Sequence, residues 1–233
     1  MLVSYWLEKI ISVSTALVFA YIGYLSFGYP LYFDRLFFIV LVVLLTIYKF
    51  NKNLFTLGVI LLGIRLVDEL LFQFSSLGYS KFVYYASCGF VAYKLKFDKL
   101  ASNLLIPLLF LCILVELFWL YTNYSSPRVH TYVALLALNC VLRFLLLSRV
   151  PLFKTQWNFN VNSITLDYSL YRLSGVYGIA VSVMIIEYLI RHTTNLSPLV
   201  IYKIYPYLTQ LISLWVLYLL AIFALKLTIK LKA

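Results

Sequence analysis

The 233-residue sequence predicts an all-α fold, a polytopic transmembrane helical bundle of about eight spans with both termini in the cytoplasm. Three observations predict it. Hydrophobic residues make up 64% of the chain and charged residues only 12%, whereas a soluble domain needs about a quarter charged residues to cover its surface. Apolar runs approaching the roughly 20 residues that cross a bilayer recur along the chain, and the mean hydropathy is +0.96. Lys and Arg gather in alternate connections, as the positive-inside rule requires.

The apolar runs lie near residues 10–25, 31–48, 54–74, 79–93, 100–121, 129–147, 170–190 and 207–227. The fourth is short and interrupted around Cys88, so a re-entrant or tilted segment is its alternative and seven spans the rival count. Met1 to Trp6 has no cationic start and no apolar run is followed by a small-residue cleavage site, so the first span is expected to be retained. Residues 1–233 then form one integral membrane domain, with 149–169 as the longest cytoplasmic loop. Within that loop Trp157 to Val161 alternates polar and apolar residues, which suits a β-like or interfacial segment anchored by Trp157.

Orientation follows from charge. Lys9, Lys49, Lys52, Lys94, Lys96, Lys99, Arg149, Lys154, Lys226, Lys230 and Lys232 fall on one side. Arg35, Lys81, Arg128, Arg191 and Lys203 fall on the other. The first set marks the cytoplasmic face, and the net charge of +11 is explained by anionic lipid headgroups there rather than by nucleic acid. Tyrosines bunch at span ends (Tyr21, Tyr24, Tyr29 and Tyr32, then Tyr202, Tyr205 and Tyr207), as interfacial belts do. The expected setting is a bacterial cytoplasmic membrane.

Charge inside the spans is rare and costly, about 2.5–3.5 kcal/mol or more per group at the bilayer centre. GIRLVDELLFQF in the third span carries Arg65, Asp68 and Glu69. The acids follow the arginine by three and four residues, so all three share a helix face and neutralise one another in part. One acid remains in excess. LVELFW in the fifth span and IIEYLI in the seventh place Glu116 and Glu187 at comparable depth, on two further outward-running helices. Arg143 and Arg172 lie within snorkelling reach of the inner surface, and Glu187 is one turn before Arg191, its expected surface partner. Glu116 is expected to pair with a basic residue on another helix or to line a path.

Milder features complete the reading. Pro107 is expected to kink the fifth span. Small-residue patches at Ala86, Ser87, Cys88 and Gly89 and at Ser174, Gly175 and Gly178 read as packing surfaces within or between subunits. Cys88, Cys112 and Cys140 show no paired spacing, and His130 and His192 are expected at the interface. Asn123 and Asn195 begin glycosylation-type triplets on the outer side. No catalytic, cofactor or metal motif appears, so an enzyme is not expected. The expected function is a small channel or permease, probed at Arg65, Asp68, Glu69, Glu116, Arg143 and Glu187, that moves an ion or proton past intramembrane carboxylates. Self-association would enlarge such a path. The alternative is a non-catalytic membrane subunit, sensor or anchor whose buried charges dock helices of a membrane-protein partner, and a pore-opening effector controlled by another protein would combine both readings.

Overall fold

The computed structural model describes residues 2–27, 29–74, 80–125, 128–194, 196 and 198–232, with the side chains of 2–8, 30–32, 80 and 227–232 left out. Tyr79, where the fourth span was expected to begin, and Asn195 lie outside the described residues. The described chain is helical, with no strand: α1 (Leu2–Ser26), α2 (Pro30–Ile47), α3 (Lys52–Phe74), α4 (Ser80–Lys94), α5 (Ile106–Tyr121), α6 (Val129–Trp157), α7 (Thr165–Thr193) and α8 (Val200–Lys232). A π-helical turn, Ala101–Leu105, leads into α5. Five segments are long and apolar enough to cross a membrane: Lys9–Ser26, Ala101–Tyr121, Val129–Trp157, Thr165–Thr193 and Val200–Lys226.

Helix ends follow local chemistry. Pro30 opens α2, where its missing N–H costs nothing. The Asn51 carboxamide oxygen accepts the Leu54 N–H (3.2 Å) and caps α3. At the other end of α5, Asn123 adopts φ 52° while Tyr124 N–H reaches Trp119 C=O (2.9 Å), a Schellman stop built on a left-handed asparagine. Asn158, φ 51°, ends α6 in the same backbone region.

Two expectations change here. The 149–169 loop contracts to residues 158–164, because α6 runs through Pro151 to Trp157 and α7 begins at Thr165. Burial outweighs the proline penalty: Phe153 is 4% exposed, stacks on Phe159 (6.2 Å between centroids) and meets Trp157 in a tilted contact (5.8 Å). The alternating 157–161 stretch is therefore a helix end and an irregular turn, without a strand. Pro107 is accommodated differently from a simple kink. Lacking an N–H for the carbonyl four residues back, it sits just after a turn that widens to the π pattern.

Packing divides the chain into two compact units, one of residues Met1–Leu62, Arg149–Leu170 and Pro206–Ala233, the other of Gly63–Ser148 and Tyr171–Tyr205. In the first unit α1 runs antiparallel to α8, joined by Ser12 Oγ to Tyr218 Oη (3.0 Å) near one end and by stacking of Phe27 on Tyr207 (4.6 Å) near the other. Helices α2 and α3 approach closely because Gly58 has no side chain. A Cβ there would lie 2.7 Å from Leu45 Cδ2.

The inner core of the first unit holds a charge. Arg149, expected as a loop residue, is 0% exposed. Its Nε donates to Asp167 Oδ1 (2.9 Å) and its Nη2 to Asp167 Oδ2 (2.6 Å), a bidentate pair. Nη1 donates to Thr56 Oγ1 (2.9 Å) and Asn53 C=O (3.3 Å), and Nη2 also to Asn162 C=O (2.8 Å). Asn53 Oδ1 accepts the Asn162 N–H (2.8 Å), and Asp167 Oδ2 the Ile164 N–H (3.1 Å). One guanidinium thus ties the start of α3, the end of α6, the 158–164 turn and the start of α7.

The second unit packs α4, α5, α6 and α7 around Cys88, Leu105, Cys112, Trp119, Leu136 and Ile185. The cysteines are buried free thiols. Arg149→Met should leave Asp167 charged and unpaired and lower unfolding stability in detergent by about 3–5 kcal/mol, whereas Arg149→Met/Asp167→Leu should recover much of the loss. Chemical denaturation of the purified variants, followed by circular dichroism, checks both.

Candidate functional site

All six expected site residues lie in the second unit, five of them in the later halves of α3, α5 and α7, each meeting its own partners. The helical register of α3 brings Arg65 Nη1 to Asp68 Oδ2 (2.6 Å) and Nη2 to Glu69 Oε1 (3.2 Å), so the triad forms as its spacing predicts. The Asp68 side chain is 16% exposed and Glu69 53%, so the second carboxylate turns away from the protein. Tyr84 donates its hydroxyl to Leu71 C=O and fixes α4 against the end of α3.

Glu116, on α5, is 8% exposed. Its Oε2 lies 3.3 Å from Lys81 Nζ on α4, and its Oε1 accepts a long hydrogen bond from Tyr85 Oη (3.5 Å). The expected basic partner is thus Lys81, which the sequence placed only as an outer-loop cation. Position i to i+4 on α4 carries both groups to one carboxylate.

Glu187 departs from its expected role. It is 7% exposed, and its Oε2 accepts the backbone N–H groups of Ile201 (2.7 Å) and Tyr202 (3.1 Å) in the first turn of α8. The carboxylate serves a helix N-terminus, where free amides and the helix dipole favour negative charge, rather than Arg191. Around these acids lies an aromatic layer. Trp119 Nε1 donates to His192 C=O (3.2 Å), Tyr124 Oη meets His192 Nδ1 (3.0 Å), and His130 stacks on Tyr84 (5.3 Å). His130, expected at the interface, is 2% exposed, because Val129 and His130 open α6 inside the packed unit.

Arg143 belongs to the opposite end of this unit. Snorkelling was expected, yet the residue is 7% exposed. Nη1 donates to Tyr171 C=O (3.0 Å), the guanidinium carbon lies 3.9 Å from the Tyr171 ring centroid, and Asp98 is 3.5 Å away. Asp98 Oδ2 also accepts the N–H groups of Leu100 (3.0 Å) and Ala101 (3.3 Å), capping the helix that enters the π-helical turn. Four residues along α6, Asn139 Nδ2 donates to Ser174 C=O (2.7 Å). The glycine patch of α7 makes room for both side chains. A Cβ on Gly175 would fall 2.9 Å from Arg143 Nη1, and one on Gly178 2.9 Å from Asn139 Nδ2. The α4 patch differs: nothing lies within 4 Å of a Cβ on Gly89.

Sequence reasoning missed the buried Arg149 and the half-buried Asp98 and Asp167 as ion-pair partners. Asp98 and Asp167 carried a usable signal, since an aspartate just before or within the first turn of an apolar helix is a capping residue. Arg149 carried none, being indistinguishable from a cytoplasmic loop charge. Among the described residues no three histidine, cysteine, aspartate or glutamate side chains are grouped to hold a metal ion.

Among the described residues every regular element is helical, and five segments are long and apolar enough to cross a membrane, consistent with an integral membrane protein. Comparison with protein-family models, curated proteins and solved structures finds no match to it.

Lys81→Met should strand Glu116 and lower the unfolding midpoint, with a cost of about 1–3 kcal/mol for a partly buried, hydrogen-bonded acid. Lys81→Met/Glu116→Leu should regain most of it, and a thermal melt of the three proteins in one detergent checks the pair.

Proposed function

We propose that the chain is a multipass integral membrane protein that works as a non-catalytic membrane subunit or anchor, its intramembrane charges acting as helix clasps. The observation that carries this reading is the use each carboxylate makes of its charge. Asp68 and Glu69 face Arg65, Glu116 faces Lys81, Asp98 faces Arg143, and Glu187 faces the first turn of α8. A neutralised acid on a helix–helix contact lowers the cost of burial. The same acid must give up its partner to receive a travelling cation.

All eight helices cross or enter the bilayer in this reading, both termini face the cytoplasm, and the membrane is the bacterial cytoplasmic one. Moving Arg149 from loop to core leaves the Lys and Arg asymmetry between the two faces intact. The protein works with further copies of itself or with a membrane-protein partner.

Transport past the carboxylates is the second reading, and one observation favours it: Glu69 keeps 53% of its side chain open despite its contact with Arg65. Ion flux into liposomes containing the purified protein separates the two. The clasp reading expects no flux above empty liposomes, and Asp68→Asn/Glu69→Gln and Glu116→Gln should lower the unfolding midpoint. Cation flux by the wild type that falls or changes selectivity in folded variants would establish the conduit instead. Reporter fusions after residues 98 and 233 should both report a cytoplasmic position, and a fusion near Lys81 the outer face.

A further inference from the structure

Two exposed charges of opposite sign stand on neighbouring helices in the sequence. Glu69, on α3, keeps 53% of its side chain open, and the triad it forms with Arg65 and Asp68 carries one negative charge in excess. Its Oε1 lies 3.2 Å from Arg65 Nη2, one turn back, so the carboxylate leans toward the middle of α3 and away from the helix end. Arg35, on α2, is exposed and makes no hydrogen bond or ion pair among the described residues. Asp34 precedes it but points about 100° around the helix and is half-buried.

The two charges share a depth. In the membrane reading α2 enters from the side on which α3 leaves, because the turn 48–51 joins them at the other side. Arg35 comes five residues after Pro30, and Glu69 five residues before Phe74. At the rise of an α-helix each α-carbon lies about 7.5 Å from that end of its helix, within a hydrocarbon layer about 30 Å thick.

Each charge also belongs to an open apolar face. On α2 the buried Phe33, Phe37 and Leu41 mark the packed side, and Arg35 lies with Ile39 and Val42 on the opposite, exposed side. On α3 Glu69 borders the exposed Leu66, Leu70 and Gly63, and a Cβ on Gly63 would meet nothing within 4 Å. A glycine open to the outside lets another backbone come close.

Charge selects what covers these faces. An excess acid at this depth needs a cation, and an unpaired guanidinium needs an acid. A two-fold contact of α3 with itself would set Glu69 against Glu69. Arg143 and Arg149 are 7% and 0% exposed and are committed to Asp98 and Asp167. Arg35 is exposed, uncommitted and level with Glu69, so a second copy supplies each charge with its opposite.

We propose that the chain pairs with a second copy of itself through the exposed faces of α2 and α3, Arg35 of one copy meeting Glu69 of the other. The inference rests on the membrane-subunit reading above and carries its clasps from within one chain to between two.

The test is native mass spectrometry of the full chain in a mild detergent, with Arg35→Glu and Glu69→Arg made separately. Wild type should be a dimer. Each variant alone sets like charges together and should raise the dimer dissociation constant at least about tenfold, whereas the two variants mixed should pair with each other as wild type does. Mixing restores opposite charges only across two chains, so a pair inside one chain would not be rescued. A wild-type monomer, variants that dimerise unchanged, or a mixture without heterodimer would overturn the interface. A second measurement avoids charge reversal: Arg35→Cys and Glu69→Cys chains, co-expressed and treated in their membranes with a short bis-maleimide, should cross-link to each other, the three native thiols being buried. A mixture that cross-links no better than either chain alone would overturn the interface as well. Alkaline carbonate extraction tests the membrane reading by itself: a chain that washes off fails there, while one that stays in the membrane as a monomer fails only here.

Discussion

An ionised side chain surrounded by hydrocarbon is tolerated only when its charge is met by another group. That constraint governs the inside of both units. Arg149 is the extreme case, with no exposed surface and hydrogen bonds to one carboxylate, one hydroxyl and two carbonyls. Because those partners come from α3, the turn after α6 and α7, satisfying one guanidinium on α6 sets the register of four segments at once. The cost of leaving any of them out is what makes the arrangement specific.

In the second unit the same constraint is met repeatedly in smaller ways. Arg65 serves two acids of its own helix, Lys81 and Tyr85 reach one acid across to α5, and Arg143 is sandwiched between Asp98 and the Tyr171 ring. Gly175 and Gly178 then read as the counterpart of polarity on the facing helix: they vacate the volume that Arg143 and Asn139 occupy. Glu187 shows that one oxygen of a buried carboxylate can be met without any cation, by backbone amides at a helix start, while its Oε1 is buried with no hydrogen-bond partner. A chain built this way holds its helices by directional contacts, since apolar side chains gain little by leaving lipid for one another.

Polar satisfaction of this kind bears directly on function. Acids engaged with fixed partners are what the clasp reading proposed above rests on, and the 53% exposure of the Glu69 side chain is what the transport reading rests on.

By itself the sequence determined the class, the approximate helices and the intrahelical triad. Composition dictates the solvent, apolar runs mark the helices, and residues three and four apart on a helix must meet, so Arg65, Asp68 and Glu69 were legible from spacing alone. Asn123 and Asn158 as helix stops were written in residue type, though only the left-handed backbone reveals their use. What the tertiary structure decided was every contact between distant segments. Lys81 with Glu116, Arg143 with Asp98, Arg149 with Asp167 and Glu187 with α8 join positions whose separation in the chain carries no trace of their meeting. The physical reason is that a local pair is fixed by the 3.6-residue turn, whereas a distant pair is fixed by helix packing, which many sequences of the same pattern satisfy in different ways.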